Sequence, residues 1–205
     1  MDIALLLLLI IAASQLLRVQ YQRARIALLG RHLASLQLEK HMETLTQGYA
    51  RAIHDATESR QRQVLETLHQ TERAAASQVQ TLASSLREET PQSLKMGALS
   101  FCVPYAERFL PDGMLRDFQA LVQIHADGLR HVVDNVENWD PKTRAFHLSA
   151  ELYLLQHSCH WFCKSRGIAD ARLLLRHQVN HAKVLESVSH VTRTPYLRWL
   201  QGDSR

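Results

Sequence analysis

Within residues 159 to 181, CHWFCKSRGIADARLLLRHQVNH, two cysteines and three histidines are gathered closely enough along the chain to be read as a metal site. Thiolate and imidazole are ligands that suit zinc. In the same stretch Arg176 precedes His181 by five residues. That pair lets the stretch be read as a nuclease motif as well. His177 and His181 stand one helical turn apart, a chelating spacing if one helix carries both. His125, farther up the chain, could join them with Cys159. Which of these sets can assemble depends on the elements that carry the residues.

The 205 residues are 46% hydrophobic and only 6% aromatic, with seven glycines and five prolines. Leu, Ala, Gln, Arg and Glu dominate, which predicts an all-α chain. Twenty-four Lys and Arg against 20 Asp and Glu leave a net charge of +4, most of it in the first 31 residues. That is not the basic stripe of a nucleic-acid-binding surface, so a nucleic-acid partner is not expected. Three cysteines make neither an even disulfide framework nor a dense one, and a reducing compartment follows. No Ser-His-Asp set, Gly-rich phosphate loop or paired-carboxylate motif occurs, leaving classical hydrolase and nucleotide chemistry unsupported.

The amino terminus, MDIALLLLLIIAASQLLR, is uncharged from Ile3 to Leu17. That is about 22 Å of helix against a hydrocarbon core of roughly 30 Å. Ala12 to Ser14 would pass for the cleavage site of a secretory signal, but such a signal opens with cations. Here Asp2 opens the segment, and Arg18, Arg23, Arg25 and Arg31 follow the apolar run. The expectation is an uncleaved transmembrane anchor over residues 1–18, with the carboxy-terminal side cytoplasmic at the inner (cell) membrane. Arg18 can snorkel to the interface. A cleaved signal and a merely interfacial or buried helix are the alternatives.

From residue 18 to 89 there is no proline. Leu38, Met42, Leu45 and Tyr49, then Leu65, Leu68, Ala75, Val79, Leu82 and Leu86, recur at three-four spacing. This predicts a coiled-coil stalk over residues 19–89 and a homo-oligomer formed through it. The alternative is a solvated helix lying on some partner. Pro91 closes the stalk and a helical bundle is expected over residues 92–205. Within it Pro104 breaks a first helix, Asp112 caps a helix over 113–137, and Asp140 with Pro141 starts another that Gly167 closes. A helix over 169–191 is expected to turn Ala171, Leu174, Leu175, Gln178, Ala182, Leu185 and Val188 inward and Arg176 and Asn180 outward.

On these elements the chemistry divides four ways. Cys159, Cys163, His177 and His181 resemble a two-cysteine, two-histidine zinc finger in spacing. A finger needs its cysteines on a β-hairpin, and a capped helix carries them here. Arg176 and His181 in RHQVNH resemble the R-x4-H signature of the HEPN helical-bundle ribonucleases, which implies a catalytic pair. Five residues on one ideal helix turn the second side chain by about 140° from the first. The order His125, Cys159, His177, His181 on a bundle is similar to the chemoreceptor zinc-binding domain, which implies those four as zinc ligands and a regulatory role. The fourth reading makes Cys159, His125 and His181 core or boundary residues and puts His157, His160 and His177 on a wetter face. The expectation taken forward is a membrane-anchored interaction and assembly module without a cofactor, with zinc held by His125, Cys159, His177 and His181, or RNA cleavage by Arg176 and His181, as the alternatives.

Overall fold

The computed structural model describes residues 3–54 and 57–202; Asp2, which opens the anchor segment, lies outside them. The fold is all-α, with ten helices among the described residues: α1 (Ile3–Leu33), α2 (Leu38–His54), α3 (Glu58–Ser85), α4 (Pro91–Leu94), α5 (Ala106–Phe109), α6 (Phe118–Val133), α7 (Pro141–Cys163), α8 (Arg166–His177), α9 (His181–Ser187) and α10 (His190–Gln201).

One N-terminal helix is long and apolar enough to cross a membrane. From Ile3 to Leu17 its side chains are exposed on every side. Beyond Gln20 the same helix changes character. Tyr21, Gln22, Arg25, Leu28 and Leu29 are buried, a one-sided stripe of the kind that docks a helix. Arg25 anchors it, donating to the carbonyls of Phe162 and Lys95, with its guanidinium 4.5 Å from the Tyr21 ring and 4.6 Å from the Phe162 ring. Lys164 Nζ adds a bond to Gln22 Oε1 at 3.2 Å. The apolar half and the globular half therefore share one continuous helix.

The region expected to form a stalk is built differently. Leu33 ends α1, the chain turns at residues 34–37, and α2 and α3 pack on each other as a hairpin, with α3 also against α6. Leu45, Tyr49, Leu65, Leu68, Ala75, Val79, Leu82 and Leu86 are buried in the chain's own core. The three-four stripe is real, but its cover is intramolecular. At Gly48 a Cβ would stand 2.8 Å from Leu68, so glycine lets α2 and α3 approach closely. Beneath them Glu72 is 1% exposed, accepting from Tyr49 Oη at 2.7 Å and pairing with Arg144 at 2.8 Å.

Residues 94–117 also depart from expectation. In place of a helix kinked at Pro104, Lys95–Gly97 (β1) pairs antiparallel with Leu115–Asp117 (β2), with Met96 opposite Arg116. The helix expected from 113 starts at Phe118, capped by Asp117 accepting from the Ala120 amide, not by Asp112. Asp140 does cap α7, accepting from the Lys142 and Thr143 amides, with Pro141 at its first position. Gly167 lies inside α8, donating to Ser100 O where a Cβ would meet that oxygen at 2.8 Å. The helix expected over 169–191 breaks at Gln178, which is left-handed, and Asn180 caps a new one by accepting from the Lys183 amide.

Candidate functional site

Helix α7 runs through the bundle and presents chemistry on two sides. One side is closed. There His125 of α6 meets Ser158, Nε2 to Oγ at 2.8 Å, and Ser158 Oγ donates to Leu154 O at 2.9 Å. The serine proton being committed, His125 Nε2 is the donor, which leaves its Nδ1 a bare, buried acceptor without a partner. His157 Nε2 donates to Asp170 Oδ1 at 2.8 Å, and its ring lies 4.6 Å from that of His181. His181 Nε2 meets Tyr196 Oη at 2.9 Å. Burial, reinforced by the neighbouring His157, pushes His125 down to about 3 and His181 down to about 4. At neutral pH both are uncharged and bonded inward. They organise a polar seam in the core of the bundle.

The other side is open. A groove of about 550 Å³ runs between α1 and α2 on one wall and α7 and α8 on the other. Leu29, Leu33, Met42, Leu152 and Cys159 supply an apolar floor. Glu39 and Glu43 stand on the α2 wall, and Arg172 and Arg176 on the α8 wall. No ion pair joins the two walls among the described residues. A smaller cleft of about 340 Å³, shared by Gln156, His160, Arg172, Arg176 and His177, continues it over α8.

No protein family, curated protein or solved structure matches the chain. The residues themselves therefore carry the reading of the site.

The four residues of the zinc quartet are divided between the two sides. His125 and His181 belong to the closed seam, whereas Cys159 and His177 line the groove. His177 Nε2 bonds Gln156 Oε1 at 3.0 Å and its ring stacks on Tyr153. Among the described residues no three of the four bring ligand atoms within 4.8 Å of one another. Burial pushes the Cys159 thiol up to about 12, and Cys163 up to about 11, which keeps both protonated. Arg176 and His181 are likewise parted: the arginine is exposed on the groove and the histidine turns inward to Tyr196.

Two features were missed in the sequence. His157, expected on a wet face, has a fully buried side chain. On α8 the buried residues are Ala169 and Leu173, whereas Leu174 and Leu175 are 56% and 83% exposed, and Ala171, Gln178 and Ala182, also expected inward, are exposed. Three consecutive leucines leave the phase of a helix undetermined. The burial of Ala169 against α7 decides it.

Proposed function

We propose that the chain is a membrane-anchored, self-associating assembly module whose groove receives a second copy of the same chain. The observation that carries this reading is the exposed Leu174–Leu175 pair beside an apolar groove with oppositely charged walls. Large exposed leucines grouped beside a cleft are characteristic of interaction surfaces. In a two-fold contact the same patch serves both copies, so it must complement itself. Glu39 and Glu43 of one copy facing Arg172 and Arg176 of the other meet that requirement, and meet it twice.

The anchor favours such a contact. With Ile3 to Leu17 in the bilayer and the rest of α1 docked through Arg25, every copy presents its groove at a similar height and orientation. A modest interface is then enough. The arginines at 18, 23, 25 and 31, all after the apolar run, support a reading with the bundle on the cytoplasmic side of the inner (cell) membrane. A carboxy-terminal reporter is expected to read cytoplasmic, and an exported signal would reverse the orientation. For the association itself, the full chain in detergent micelles is expected to have the mass of a dimer and the Leu175→Asp variant that of a monomer with unchanged helical content. A monomeric wild-type chain, or an Asp variant that still dimerises, would remove the reading.

A further inference from the structure

On the opposite end of the bundle His131, Glu137 and His190 bring one ligand atom each within 4.8 Å of the others. His131 Nε2 is 3.4 Å from Glu137 Oε1, and His190 Nδ1 is 3.8 Å from the same oxygen. Zinc bonds of about 2.0–2.2 Å in a tetrahedron put neighbouring ligand atoms about 3.3–3.6 Å apart. Both separations from the Glu137 oxygen are thus close to an edge of a zinc tetrahedron, and the two imidazoles come within 4.8 Å of each other.

The placement is built into the fold. His131 sits in the last turn of α6 and its side chain is 13% exposed. Its Nε2 is buried and makes no hydrogen bond, so a polar atom faces the trio unsatisfied. Glu137 lies in the turn between α6 and α7. There Asn135 clasps Trp139 at both backbone groups, at 2.9 and 3.1 Å, and Asn135 and Asn138 take positive φ. Trp139 also sets its ring edge-on to His131, fixing the imidazole plane. His190 opens α10 directly after Ser189, whose amide and hydroxyl both donate to the buried Glu151. Three separate elements are held so that two imidazoles and one carboxylate converge.

The geometry points to a zinc site formed by His131, Glu137 and His190, with the fourth position open to water or to an exogenous ligand. Two imidazoles with one carboxylate are a donor set that zinc takes, and an open fourth position is the arrangement of its reactive centres. The ion would tie the start of α10 to the end of α6.

The test uses the full chain in detergent, titrated with zinc chloride and separately with cobalt(II), whose visible absorption reports coordination geometry. Wild type is expected to bind about one ion per chain at micromolar concentration, to give the intense visible bands of four- or five-coordinate cobalt, and to melt at a higher temperature with zinc. His190→Ala and Glu137→Gln, both at exposed positions, should each weaken binding by about tenfold or more and abolish the rise in melting temperature. His177→Ala, in the groove, should leave both unchanged. Binding undiminished in His190→Ala and Glu137→Gln, or lost in His177→Ala, would place the ion elsewhere; no stoichiometric binding to wild type would overturn the site.

Discussion

Replacing Arg144 by alanine is expected to destabilise the protein by about 3–5 kcal/mol, the range seen when one member of a buried ion pair is removed. Glu72 is enclosed on α3, and Arg144 reaches it from α7 at 2.8 Å while also donating to Val133 O. Without the guanidinium, the carboxylate keeps the Tyr49 hydroxyl as a donor at 2.7 Å, and His69 Nδ1, which accepts from Arg144 in the fold, has to change tautomer to donate across its 3.0 Å. Those bonds do not neutralise a charge held away from water. The melting temperature should fall by about 10 °C for a chain of this size. Removing both charges, Arg144→Met with Glu72→Leu, should recover most of the loss, because packed apolar groups replace a buried pair at little cost. A single Arg144→Ala variant within about 1 kcal/mol of wild type would show that water reaches Glu72.

The second large effect is a response to acid. His125 titrates near its ordinary value of 6.5 in the unfolded chain but at about 3 in the fold. Between those values the unfolded state binds a proton that the folded state refuses. Stability contributed by the neutral ring is complete above pH 6.5 and is lost as pH falls toward 3, at about 1.4 kcal/mol per unit. By pH 5 that is about 2 kcal/mol. His181, held down to about 4, acts in the same sense. Glu151 opposes them. Burial raises its carboxyl to about 7, so its contribution is full below 4.5 and is lost as pH rises to 7. Urea unfolding at pH 7 and pH 5 separates these effects. In His125→Gln the difference between the two pH values should shift by about 2 kcal/mol toward greater stability at pH 5, and in Glu151→Gln it should shift the opposite way. Parallel pH profiles in wild type and His125→Gln would mean that the ring is hydrated in the fold.

Local signals read well from the sequence. Asp140 with Pro141 marked the start of α7 because a cap and its proline act within one turn. The three-four stripe from Leu38 to Leu86 correctly marked buried residues. Periodicity reports that a stripe is covered, not by which chain, so the hairpin of α2 and α3 looked like a stalk. Strands of three residues, such as Lys95–Gly97, are too short to show an alternation. The candidate site was legible only in part. Cys159, His177 and Arg176 do line one groove, but the sequence could not place Glu39 and Glu43 opposite them, since that face exists only once α1 turns back at Leu33. His131, Glu137 and His190 come from three elements that meet only in the folded bundle.

Self-association through the groove is tested most directly by charge reversal, read as mass in detergent micelles. Glu43→Arg sets cation against cation in a two-fold contact, and Arg176→Glu sets anion against anion, so each variant alone should be monomeric. Mixed in equal amounts they should form a heterodimer, because reversed position 43 of one copy then faces reversed position 176 of the other while the native Arg176 and Glu43 meet across the axis. If the single variants dimerise as wild type does, or if the mixture stays monomeric, the groove is not where two copies of this chain meet.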